Sequence, residues 1–207
     1  MNRRHLKTVF IMAMAMVVTG VLNNSWSQSP QTLFDGEVTH GGFGSPVVKI
    51  GSVDGSTGIW AGGRGGWLIN MDNRHSVSLG LGGYGLVSEH RYRPADINED
   101  RLIMNGYGGF DLEYTYQPYR VVHFTITSLI GGGGLMGRDH HYSRTDDDMD
   151  RYFIFEPGLN IEVNLTEFVR VSAGATYMLT SGVSRSGFQD SDFSGLNGVL
   201  ALKFGRF

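Results

Sequence analysis

From position 45 onward the chain runs in eight stretches whose residues alternate between apolar and polar, with turn residues between them at regular spacing. Period two belongs to strands and not to helices. The stretches cover 45–53, 57–70, 75–88, 101–116, 120–134, 151–164, 168–180 and 195–207. Each reaches the ~9–11 residues with which a tilted strand crosses a bilayer.

Sorting each stretch by parity gives two unlike sets. One is apolar and carries no charge, with Leu79, Leu81, Phe110, Leu112, Phe124, Ile126, Phe153, Leu159, Ile161, Leu200, Leu202 and Phe204 among its members. The other holds Lys49, Arg64, Asp111, Glu113, His123, Glu156, Glu162, Arg170 and Lys203, interspersed with Ser, Thr, Asn, Tyr and Gly. A water-soluble barrel has its grease inside and its charge outside, so charge confined to one face of strands this long points to a lumen inside a membrane barrel. The expected fold is all-β, an eight-stranded antiparallel up-and-down transmembrane β-barrel over 45–207.

The connections carry the same signal independently. Those at 71–74, 117–119 and 165–167 are tight, whereas 89–100, 136–150 and 181–194 are long and polar. Barrels inserted from the periplasm alternate short periplasmic turns with longer outer loops. Asp54-Gly55-Ser56 is the exception among the outer links, a short hairpin of the Asp-Gly kind. An even strand count then places both termini in the periplasm.

Arg3, Arg4 and Lys7 precede an apolar stretch over 8–22 that is too short and too early for a span, and Ser25-Trp26-Ser27 fits a small-x-small cleavage site. Residues 1–27 are therefore expected to be a cleaved signal peptide. The Arg3-Arg4 pair does not argue for twin-arginine export, because that route carries folded proteins and a barrel with a greasy exterior could not travel folded. Residues 28–44 lack alternation and carry Pro30, Asp35 and several glycines, which makes them a periplasmic lead-in or a short plug.

The chain has no cysteine, which excludes disulfides, a lipid anchor on cysteine and thiolate metal sites. A net charge of -3 without a basic stripe excludes nucleic acid as a partner. Glycine at 31 of 207 residues together with 12% aromatics suits a tightly curved small barrel, since mid-strand glycine permits bending and leaves room beside Trp60, Tyr84 and Tyr107.

The lumen set contains four cations (Lys49, Arg64, Arg170, Lys203) and four anions (Asp111, Glu113, Glu156, Glu162). An eight-stranded barrel is just wide enough for its own side chains, and unpaired charge inside would carry a heavy desolvation cost. The expectation is a neutral, self-paired, plugged lumen. A sharper alternative joins Glu156 or Glu162 to His123 as an acid–base pair.

Asp139, His140, His141, Asp146 and Asp148 are the candidates for a divalent cation, but they lack the glycine and closing glutamate of a calcium loop, and like charges on an outer loop are usually just solvated. The cluster is expected to bind no metal of its own, though it could join a cation-bridged lipopolysaccharide layer. Tyr92, Tyr142, Tyr152, Trp67, Tyr114, Tyr116, Tyr119 and Phe168 suit interfacial girdles. No nucleophile elbow, P-loop or zinc-protease motif is present.

Gly42-Phe43-Gly44-Ser45-Pro46-Val47-Val48-Lys49, Gly62-Gly63-Arg64-Gly65-Gly66-Trp67, Gly82-Gly83-Tyr84-Gly85 and Leu202-Lys203-Phe204-Gly205-Arg206-Phe207 give the chain its family likeness. It resembles the small eight-stranded outer-membrane barrels of the OmpA/OmpX type, and more closely the outer-membrane β-barrel proteins of Bacteroidetes and related bacteria. The resemblance implies an outer-membrane location, lipid and lipopolysaccharide as surroundings, and recognition by the barrel-assembly machinery through Phe204 or Phe207. Phe207 is out of phase with the lipid-facing Leu200, Leu202 and Phe204. The expected protein is a monomeric, non-enzymatic barrel without cofactor, structural or surface-interacting in role, with a narrow pore and a lipid-modifying hydrolase as alternatives.

Overall fold

The computed structural model describes residues 38–92, 101–139, 149–184 and 187–207, the side chains of 92, 101, 138 and 139 excepted. The chain divides into Met1–Asp35 and Gly36–Phe207, and the described residues belong to the second unit. The expected signal peptide and positions 28–37 of the lead-in lie outside the described residues, as do Tyr142 and the loop candidates His140, His141, Asp146 and Asp148.

Eight long strands follow one another around a closed antiparallel sheet: β1 (Thr39–Val53), β2 (Ser56–Asn70), β3 (His75–Leu86), β5 (Arg101–Tyr116), β6 (Val122–Asp139), β7 (Asp150–Asn164), β8 (Val169–Ser181) and β9 (Gly195–Arg206). A two-residue strand, β4 (Arg91–Tyr92), extends the edge of β5. Neighbours in sequence are neighbours in space, β3 pairs with β5, and β1 pairs with β9 to close the barrel. The fold is an eight-stranded up-and-down β-barrel. Closure leaves no strand edge in need of a partner.

One rim carries the tight turns and the other the long connections. On the loop rim the β1–β2 hairpin is the exception, because Asp54 (φ 48°) and Gly55 (φ 71°) both sit in the left-handed region and form the two-residue turn that matches strand twist. On the turn rim Asp72 accepts hydrogen bonds from the backbone N–H groups of Arg74 and His75, each at 2.6 Å.

Two strands are longer than their polarity pattern. β1 begins at Thr39 and not at Ser45, so 39–44 belong to the barrel and not to a lead-in; these residues pair with β2 from Thr39↔Asn70 to Gly44↔Gly65. Glycine carries no polarity, and four of the pairs in that stretch include one, which hides the alternation. β6 likewise continues past 134 to Asp139.

Polarity is inverted relative to a water-soluble barrel. Phe110 is 71% exposed, Leu81 62% and Leu200 58%, while Glu162 and Lys203 in the interior are at most 1% exposed. Trp67, Tyr116, Tyr119 and Phe168 stand exposed toward the turn rim, but Tyr152 does not join a girdle. Tyr152 takes lumen parity on β7 and is buried, its hydroxyl donating to Asn105 Oδ1.

Candidate functional site in the barrel lumen

The lumen is stacked in layers along the barrel axis. At the turn rim, Arg170 on β8 donates from Nη2 to the Pro118 carbonyl (3.3 Å), and its guanidinium carbon lies 3.7 Å from the centre of the Phe207 ring. It forms no ion pair with a carboxylate among the described residues. Arg170 therefore stands outside the ion-pair network expected of it: it faces Lys203 across the β8–β9 ladder, but its guanidinium turns to the Pro118 carbonyl and the Phe207 ring and leaves the carboxylates to Lys203. A cleft of about 520 Å³ opens there, with Arg170, Asn164 and Phe207 in its wall.

The next layer is ionic. Arg64 on β2 reaches Asp111 (Nη1–Oδ1, 3.1 Å) and Glu113 on β5, crossing β3 where the intervening residues are glycines: Arg64 pairs with Gly82, and Gly80 with Asp111. A methyl group on Gly82 would come within 3.0 Å of Leu129 Cδ1 and make ordinary contact with Arg64 Cβ at 3.4 Å, so glycine here leaves room for the Leu129 side chain beside the ion pair. Lys203 on β9 donates to both oxygens of Glu113 and, at 2.9 Å, to Glu162 Oε2. His123 approaches the same acid, Nε2 to Oε2 at 3.6 Å, while its Nδ1 lies 3.0 Å from the Arg120 carbonyl. With Nδ1–H donating to that carbonyl, the neutral ring turns its unprotonated nitrogen toward Glu162.

Above it lies a second pair. Lys49 on β1 donates to Glu156 on β7 (2.7 Å) and to the Tyr107 hydroxyl (3.1 Å), which in turn donates to Glu156 (3.0 Å); Thr176 donates to the other carboxylate oxygen at 2.6 Å. The ammonium also lies 3.6 Å from the centre of the Tyr84 ring. Between the two ionic layers a void of about 20 Å³ touches Lys49, Arg64, Asp111, Glu156 and Asn160. That is room for about one water, which needs roughly 10–15 Å³. Asn160 Oδ1, buried and without a hydrogen-bond partner among the described residues, is a ready acceptor for it.

The outermost layer is apolar. Trp60, Leu135, Tyr152, Ile154 and Met178 point inward and are buried, and the β8–β9 connection folds back onto them. A 3-10 turn over Asp190–Phe193 carries Phe193, fully buried, against Tyr152 and Phe188. The turn is fastened by the Asp54 N–H to the Asp192 carbonyl (2.9 Å), by Thr180 and Ser194 hydroxyls to the Asp190 carbonyl, and by Asp190 Oδ1 to the Val183 N–H. Parity assigns the strand residues of this layer to the lumen. Nothing in the pattern of the loop shows that Phe188 and Phe193 return to cover them.

Of the assembly-signal candidates, Phe204 faces outward and is 45% exposed, whereas Phe207 covers Arg170 at the mouth. Among the described residues no group of His, Asp and Glu is arranged to hold a metal ion, and no helix is long and apolar enough to cross a membrane.

No family model matches the sequence, and no curated protein matches it. Among solved structures the chain is similar to Neisserial surface protein A, at 8% identity over 82% of this chain and 99% of that one, with a TM-score of 0.48. It is similar to Ail, the attachment invasion locus protein of Yersinia pestis, at 11% identity over 83% and 99%, with a TM-score of 0.45. The N-terminal β-barrel domain of Pseudomonas aeruginosa OprF is a third such structure, at 10% identity over 82% and 99% and a TM-score of 0.44. At these values the architecture rests on the strand pairing of this chain itself.

Proposed function

We propose that this protein is a small integral barrel of the bacterial outer membrane, with its turn rim and both ends in the periplasm and a closed lumen. Its role in this reading is structural or surface-interacting, and its partners are membrane lipid, lipopolysaccharide and the assembly machinery. The observation that carries the proposal is the inversion of polarity: a continuous apolar exterior surrounds buried ion pairs, an arrangement stable only where the outside is lipid.

Two features argue against a pore. Buried ion pairs link strands across the lumen in two layers, and the apolar layer with its Phe193 turn lies on their loop side. The hydrolase reading has one supporting contact, His123 against Glu162, but both side chains are fully buried and stand 3.6 Å apart, beyond hydrogen-bond reach. A pair buried in this way does not meet the acyl carbonyl of a lipid.

The test is a planar-bilayer recording on the refolded chain, after a heat-dependent gel shift has verified the barrel. A folded barrel with a silent trace is the expected result. Steady discrete openings would overturn the closed-lumen reading in favour of a water path along the charged residues.

A further inference from the structure

Pro46 and Pro157 both sit in the middle of strands, on the outward face, and each coincides with a lapse in one ladder only. Along β1 and β9 the pairing runs Gly42↔Arg206 to Gly44↔Phe204, then resumes at Val47↔Ala201, skipping Ser45 and Pro46. On its other side Pro46 remains paired, with Gly63 of β2. Along β7 and β8 the pairing runs Phe153↔Ser181 to Phe155↔Leu179 and resumes at Gly158↔Thr176, skipping Glu156 and Pro157. Pro157 keeps its partner Ser128 on β6. Proline has no N–H to give to a ladder, and in ordinary sheets it is confined to edges for that reason. A closed barrel has no edge, so each proline makes a weak seam.

The two weak seams flank the same hairpin. β8 and β9 pair with each other without interruption from Val169↔Phe204 to Met178↔Gly195, while β8 borders β7 at the Pro157 lapse and β9 borders β1 at the Pro46 lapse. The connection between them is the turn that seats Phe188 and Phe193 in the loop-side mouth. Beside the ladder pairs that remain on both seams and the Asp54 and Asp150 contacts at the loop rim, lumen side chains tie the hairpin to the other strands: Lys203 of β9 to Glu113 and Glu162, and Thr176 of β8 to Glu156. The void beneath Lys49 reaches Val47 and Ala201 at the β1–β9 lapse, and an apolar groove of about 480 Å³ on the outer face reaches the same two residues. Only the seam separates them.

We propose that the β8–β9 hairpin is a movable stave: it separates from β1 and β7 as one body along the two proline-broken seams, withdraws the Phe193 turn, and joins the lumen void to the outer face beside Pro46. Lys203 is the latch that holds it shut. This inference rests on strand pairing and does not depend on the role proposed above.

The test is backbone hydrogen exchange on the full refolded barrel. Local opening exposes the amides it frees in concert, so Val48 and Leu200 at one seam and Phe155 and Leu179 at the other should exchange at a common rate, at least about tenfold faster than Leu79 and Leu112 on the uninterrupted β3–β5 ladder. Lys203→Met should raise the rate at both seams by a larger factor than on the β3–β5 ladder, whose amides follow only the loss of global stability. A second arm uses the absence of cysteine: Val48→Cys with Leu200→Cys, residues directly paired across the first seam, should on oxidation slow exchange at the distant β7–β8 seam as well. The same cross-link between Trp67→Cys and Leu79→Cys, paired across β2 and β3, should not. Uniform exchange around the barrel overturns the proposal, and so does a lock at β1–β9 that leaves β7–β8 unaffected, since the two seams would then open independently.

Discussion

Lys203 Nζ lies 2.6 Å from Oε1 and 2.7 Å from Oε2 of Glu113, so one ammonium spans a whole carboxylate that also accepts from Arg64. The same ammonium holds Glu162. Removing it strands Glu162, fully buried, without its ammonium partner. Lys203→Met should destabilise the folded barrel by ~3–5 kcal/mol, the scale on which breaking a buried pair from one side is felt. Urea unfolding in detergent reads the change. Lys203→Met combined with Glu162→Gln should recover part of the loss, because the stranded charge is then gone; an unshifted midpoint in the single variant would mean that the layer is solvated and not buried.

The exterior makes a different demand. Phe110 is 71% exposed near the middle of β5, and in a protein surrounded by water Phe110→Arg would be close to neutral. In a bilayer, arginine at the midplane of a barrel costs about 2–4 kcal/mol and at the interface about 0–1. Folding equilibria in lipid vesicles should therefore separate Phe110→Arg from Tyr119→Arg, which lies on the turn rim, by at least about 2 kcal/mol. Equal effects at the two positions would remove the membrane reading.

Why the barrel was legible and its closure was not comes down to range. Period two is local, and it found β5 to the residue at both ends, over Arg101–Tyr116. It also put Lys49, Arg64, Asp111, Glu113, Glu156, Glu162 and Lys203 on one face, which is where they stand. Which cation meets which acid depends on partners 40 to 110 positions apart, and parity is silent on that. Arg170 shows the limit: it shares the parity of the ion pairs and faces Lys203 in the ladder, yet its guanidinium turns to the Pro118 carbonyl and the Phe207 ring. Tyr152 and Phe193 show another, since an aromatic near a strand end fits a membrane girdle or a lumen lid equally well until the β8–β9 connection is seen to fold inward.

Acid should loosen the turn rim at a defined point. The backbone N–H of Arg74, and with it that of His75, holds the Asp72 carboxylate below the usual carboxylate range. A depressed folded-state value means that the stabilisation is present above the ordinary aspartate range, about 3.9, and is lost as the pH falls through the lower, folded value. The amide shifts of Arg74 and His75 should titrate with a midpoint below that of an unstructured peptide of the same sequence, and Asp72→Asn should abolish the titration. A midpoint at or above the peptide's would show that these two hydrogen bonds do not favour the charged form.

Two seals in series make a prediction that neither makes alone. Phe193 is fully buried between Tyr152 and Phe188, with ring centres at 6.4 Å and 5.5 Å, so Phe193→Ala should cost ~3–5 kcal/mol as a large-to-small core change. In the closed-lumen reading it should nonetheless leave a planar-bilayer trace silent, because the Lys49–Glu156 and Arg64–Glu113–Lys203 ion pairs remain in the lumen beneath it. Lys203→Met alone keeps the apolar lid whenever the β8–β9 hairpin is shut, so current from it should be rarer than from the double variant. Phe193→Ala together with Lys203→Met removes one seal and opens a gap in the other, and brief current steps should then appear. Current from Phe193→Ala alone would show that the ionic layers do not close the lumen and that the loop-side turn is the gate.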